Sequence, residues 1–152
     1  MAGWSVESTA EIEAPPADVW GWYADPGSWP EWAHSTAAAA IDGPLAVGAI
    51  VTVTPTRGPV QRVRIDAVEP ERRLSTTLDL PGARMAFRYE IEPSATGCRV
   101  RHTVSMIGPL AVVYGLFMRR ANARKLAAEI ERLADSVRRP GDRSPDAHRP
   151  RT

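Results

Sequence analysis

The stretch "IEAPPADVWGWYADPGSWPEWAH", Ile12 to His34, decides how the rest of the chain is read. Its twenty-three residues hold four of the five tryptophans and four of the fourteen prolines. A short helix entered through Pro15-Pro16 is expected, because proline is tolerated in a first turn and Asp18 suits the positive end of the helix dipole. Val19, Trp20 and Tyr23 share one side of that helix. It should end by Asp25, since a residue before proline avoids α geometry. Asp25-Pro26 then restarts the chain as N-cap and first helical residue, with Trp29 and Trp32 on one side of a second, very short turn. Isolated helices below about 12 residues are marginal. The aromatics, each able to bury about 150–250 Å², are therefore expected to clamp both helices to a larger element.

That element is visible on either side. Residues 4–14 alternate loosely and stop at the prolines, which reads as an opening strand. From Ser35 to Met106 the texture is that of strands. In "RMAFRYEIE" Met85, Phe87, Tyr89 and Ile91 alternate with Ala86, Arg88, Glu90 and Glu92; in "CRVRHTVSM" Cys98, Val100, His102, Val104 and Met106 alternate with Arg99, Arg101, Thr103 and Ser105. "QRVRIDAV" does the same, and period-two alternation marks antiparallel strands with one buried and one wet face. Turn signals such as Asp42-Gly43-Pro44, Arg57-Gly58-Pro59 and Pro81-Gly82 separate six or seven strands. After Gly108-Pro109 the pattern turns helical until about Arg139, with an apolar stripe through Leu110, Val113, Tyr114, Phe117, Ala121, Leu126, Ile130, Leu133 and Val137. The expected fold is α+β: a curved antiparallel sheet, two short helices, and one long C-terminal helix across the sheet.

Composition narrows the function. At 152 residues the chain is long enough for one domain with a real core, set at residues 1–138, with 139–152 as a disordered basic tail. A single cysteine excludes an internal disulfide and any multi-cysteine zinc site. The opening residues lack the pattern of a signal peptide, and no apolar run is long enough to insert stably in a membrane, so a cytoplasmic protein is expected. The last fifteen residues hold five Arg and two Asp, leaving the rest mildly acidic, which argues against nucleic acid as a partner. Three histidines at 34, 102 and 148 have no metal-ligand spacing, and neither a nucleophile elbow nor a glycine-rich phosphate loop is present. No metal and no cofactor is expected.

The motif of Ile12–His34 resembles the entry segment of the START/polyketide-cyclase superfamily, also called SRPBCC, which includes the major birch pollen allergen. The likeness continues through the strands and "GPLAVVYGLFMRRANARKLAAEIERLAD" to about residue 137. It implies a helix-grip fold with a cavity between sheet and C-terminal helix, used by family members to bind lipids, sterols, hormones or polyketides, and by some to cyclise or aromatise them.

The residues themselves suggest which groups would meet such a ligand. Inward strand positions are mostly apolar, as in sites for greasy molecules with a few polar fixers. The polar exceptions are Gln61, Thr76, Tyr89 and His102; Phe87 shares their face, Tyr114 and Phe117 lie on the helix stripe, and Trp32 and His34 close the aromatic motif. His102 and Tyr89 are the candidate acid–base pair. Two readings stay open: a module that holds a small apolar molecule, as monomer or homodimer, and a cyclase or aromatase using His102 and Tyr89. A third gives the pocket no role and docks the Arg-rich tail elsewhere.

Overall fold

The computed structural model describes residues 3–33 and 35–138. Within them the chain opens with strand β1 (Gly3–Ile12), helix α1 (Pro16–Ala24), a 3-10 turn (Pro26–Ser28) and the one-turn helix α2 (Trp29–Trp32). Strands β2 (Thr36–Ile41), β3 (Ile50–Pro55), β4 (Gln61–Glu69), β5 (Arg73–Leu80), β6 (Ala83–Ser94) and β7 (Gly97–Ile107) follow, and helix α3 (Ala111–Arg138) comes last. Among the described residues these seven strands make one antiparallel sheet in the order β1-β7-β6-β5-β4-β3-β2. The meander is as the alternation predicts, and β1 returns to pair with β7. The fold is the α+β helix grip. The basic segment 139–152 lies outside the described residues, as does His34.

The alternation becomes burial in register. On β7, Cys98, Val100, His102, Val104 and Met106 are all buried. Cross-strand pairing sets Phe87 between Val104 and Thr76, and Tyr89 between His102 and Leu74. The outward arginines meet carboxylates instead, Arg99 to Glu11 at 2.9 Å and Arg64 to Asp66 at 3.2 Å. Exposed pairs of this kind contribute at most about 1 kcal/mol. The sheet is held by its inner face.

The proline-broken segment is fastened by side chains where helices would otherwise leave carbonyls unpaired. Ser28 Oγ donates to the carbonyls of Trp22 and Asp25, and Trp29 Nε1 donates to the Tyr23 carbonyl at 3.1 Å. Asp25 caps the 3-10 turn through the Gly27 amide. The buried face of α1 differs from expectation in one residue: Val19, Trp22 and Tyr23 are buried, while Trp20 is half-buried.

The stripe on α3 needs a larger correction. Leu126, Ile130, Leu133 and Val137 are buried, but Val113 is 49% and Phe117 80% exposed. The reason lies in how closely the first turns approach β1. Trp4 Nε1 donates to the Ala111 carbonyl at 2.9 Å, and a Cβ on Gly115 would stand 2.7 Å from the Trp4 ring. Small residues therefore face the sheet there, and the large ones are turned outward. A sequence apolar all round its first turns cannot announce which side is in. The preceding turn needs glycine: Gly108 has φ +125°, and a Cβ there would lie 2.8 Å from the Gly82 carbonyl oxygen.

The clamp is tested by truncation. Trp29→Ala should cost about 3–5 kcal/mol in urea unfolding. Trp20→Ala, at its half-buried position, should cost less than half as much. Equal losses would mean that the burial of Trp29 is not what fastens the segment.

Candidate functional site

Between the inner face of the sheet and α3 lies a cavity of about 430 Å³. Its wall is built by alternate positions of four strands: Val53 from β3, Val63 from β4, Thr76 and Leu78 from β5, Met85, Phe87 and Tyr89 from β6; Val104 of β7 completes it. The aromatic segment supplies Trp29 and Trp32. Helix α3 supplies Met118, Asn122, Lys125, Leu126 and Glu129, and Arg57 and Gln61 add polar groups from the β3–β4 end.

Of the residues singled out by sequence, Trp32, Gln61, Thr76, Phe87 and Tyr89 come together on this wall. Tyr114, Phe117 and His102 stand elsewhere. Tyr114 is occupied at the surface, its hydroxyl donating to the Pro81 carbonyl at 2.9 Å. Phe117 points away from the sheet into solvent. His102 is fully buried behind the wall rather than on it. It sits edge-on to Tyr89, with ring centroids 4.8 Å apart and planes at 83°. Trp32 packs against the same Tyr89 ring at 5.6 Å and 85°. Edge-to-face arrangements of this kind suit the ring quadrupoles and fix the rings relative to one another.

A polar string crosses this cluster. The Tyr23 hydroxyl and His102 Nε2 are 2.7 Å apart. His102 Nδ1 lies 3.7 Å from Glu129 Oε2, beyond hydrogen-bond distance. Burial first, then the neighbouring Tyr89, pushes the Tyr23 phenol well above its usual value, so Tyr23 stays protonated. The phenol and the imidazole share one hydrogen bond, its direction following the tautomer of the ring, and the other ring nitrogen, Nδ1, faces the Glu129 carboxylate. Glu129, 12% exposed, stands with one side toward His102 and one on the cavity wall. Two further polar groups on the wall are uncommitted among the described residues. The Trp32 indole N–H has no acceptor, and the Tyr89 hydroxyl makes no hydrogen bond.

From this helix the sequence reading picks only Tyr114 and Phe117, and the residues of α3 that do line the cavity are not among its candidates. Met118, Asn122, Lys125 and Glu129 follow one another at intervals of four, three and four, the signature of a single helix face. That spacing was legible, but nothing local distinguishes a charge aimed at a cavity from one aimed at water. Among the described residues no group of His, Cys, Asp and Glu could hold a metal ion, and no helix is long and apolar enough to cross a membrane.

Residues 3–138 match the family described as polyketide cyclase/dehydrase and lipid transport. Comparison with curated proteins finds no match. Several solved structures share the fold. A Mesorhizobium loti protein superposes with TM-score 0.67 at 24% identity, over 90% of this chain and 98% of its own. A Staphylococcus aureus protein gives 0.73 at 10% identity, over 93% and 98%. Norcoclaurine synthase from Thalictrum flavum, in complex with dopamine and hydroxybenzaldehyde, gives 0.65 at 16% identity, over 94% and 90%.

The tyrosines give the site a measurable pH signature. Burial raises both Tyr23 and Tyr89 well above 10.0, with the Glu129 carboxylate adding to each. The folded state thus keeps protons that the unfolded chain releases. The linked stability is complete below pH 10.0 and falls as pH rises beyond it. In an alkaline titration, phenolate absorbance from these two residues should appear together with loss of the fold. Their ionisation in a protein that remains folded would contradict the burial described.

Proposed function

This chain belongs to the polyketide cyclase/dehydrase and lipid transport family, and on that premise we propose that it holds a small, mainly apolar molecule in the cavity between sheet and α3. The observation that carries the reading is the cavity itself. At about 430 Å³ it falls within the range of about 300–1,000 Å³ usual for small-molecule sites. Its wall of Val53, Val63, Leu78, Met85, Phe87 and Val104 offers only dispersion and exclusion of water. Each methylene moved into such surroundings contributes about 0.8 kcal/mol, roughly fourfold in affinity. Specificity then rests on the few polar groups, Thr76, Tyr89, Asn122, Glu129 and the Trp32 indole. The reading takes the protein to work in the cytoplasm, as monomer or homodimer, without metal or cofactor.

A second reading, a cyclase or dehydratase, is favoured by one feature: the Glu129 carboxylate on the wall. A carboxylate there can take a proton from carbon beside a ligand carbonyl, and the Tyr89 hydroxyl can hydrogen-bond the enolate that forms. His102 would act through Glu129 as a positioning residue, its ring held in place by Tyr23. It would not itself touch the substrate.

Filling the cavity separates binding from general stickiness. Leu78→Trp and Val104→Phe should lower the affinity for the fluorescent probe anilinonaphthalene sulfonate by about tenfold or more, with the fold retained by circular dichroism. Undiminished binding by both filled variants would sink the cavity reading. For the enzymatic reading, a short poly-β-ketone is offered and the absorbance of aromatic product followed. Glu129→Gln should abolish turnover and leave probe binding within about threefold. A wild-type protein that binds the ketone but never converts it would end that reading and leave the first intact.

A further inference from the structure

Helix α3 has two apolar sides, and the fold accounts for one. Val112 is 52%, Val113 49%, Leu116 78% and Phe117 80% exposed, with Ile107 and Leu110 exposed beside them. At 3.6 residues per turn these four helix positions occupy an arc of about 140°. The residues that reach the cavity, Met118, Asn122, Lys125 and Glu129, fall on the opposite side. A soluble helix normally puts charge on the side away from the core. Here the outer arc starts with large apolar side chains and continues, one turn on, with Arg120 and Arg124.

Charge identifies what would cover it. From Ile107 to Ala128 the sequence holds no Asp or Glu, against Arg119, Arg120, Arg124 and Lys125. These three arginines are exposed, and none has an ion-pair partner among the described residues. An apolar surface of this extent on a protein exterior marks a site of interaction. A second copy of the chain would cover Leu116 and Phe117 but bring its own arginines and no acid from the same segment. An anionic bilayer surface answers both halves at once. Apolar side chains enter the boundary of headgroups and acyl chains, and arginines directly after them meet the phosphates. We infer that the outer face of α3, centred on Val112, Leu116 and Phe117 with Arg120 and Arg124, docks this protein on anionic membranes. It lies in the interface without crossing it. The inference does not depend on what occupies the cavity.

The full chain is mixed with phosphatidylcholine vesicles with and without phosphatidylglycerol, and bound protein is measured by flotation. Binding is expected only with phosphatidylglycerol, and it should weaken as salt is raised. Arg120→Gln with Arg124→Gln should lower affinity on the order of twentyfold at low salt, about fivefold for each arginine. Leu116→Ser with Phe117→Ser, both surface changes, should lower it about tenfold or more. Binding that survives both double variants would belong to another basic segment of the chain and would overturn the assignment to α3. So would absence of vesicle binding, whether or not Leu116→Ser with Phe117→Ser converts a dimer to a monomer in sedimentation.

Discussion

The contact between Tyr23 and His102 joins three parts of the molecule that are far apart in sequence. Tyr23 stands on α1, whose last carbonyls are held by Ser28 and Trp29. His102 stands on β7, the strand paired with both β1 and β6. Beyond the imidazole is Glu129 of α3. Tyr23 is buried and stays protonated, and its hydroxyl holds Nε2 of the ring while Nδ1 faces the carboxylate. A buried histidine that lost this partner would carry an unsatisfied Nε2 at a cost of about 1–3 kcal/mol. The aromatic segment is thus more than packing: it orders the rings of Trp32 and Tyr89 and, through them, the polar end of the cavity.

That arrangement explains why the cavity is apolar for most of its wall yet charged along one helix. The strands can offer the interior only alternate positions, and those are needed to hold the sheet's inner face together. Helix α3 packs along β1 and beside α2, and offers the cavity a side of its own. Ala111 and Gly115 approach Trp4 at one end, and Leu126, Ile130, Leu133 and Val137 are buried toward the other. On a different side of the helix Met118, Asn122, Lys125 and Glu129 line the cavity. The same close approach at Gly115 turns Leu116 and Phe117 outward. One backbone contact distributes the helix between cavity and surface.

Much of this was present in the sequence as local physics. Proline before and after short aromatic runs, period-two alternation in the strands, and a long helical period at the end determined the element order, the inner face of the sheet and the presence of a gripped helix. Each of those signals depends on neighbours a few residues away. The positions of Gln61, Thr76, Phe87 and Tyr89 on the wall followed from alternation alone, since a strand has only two faces. Three matters were decided by tertiary structure. His102 lies behind the wall because Tyr89, its cross-strand neighbour, stands between it and the space. Phe117 left the core and Tyr114 packs only at its edge, because Gly115, not they, meets Trp4. Glu129 faces the cavity because the rotation of α3 about its axis is set by contacts with β1 and α2, not by its own composition. A helix apolar on two sides has no preferred rotation until something packs against it, and that choice belongs to the whole fold.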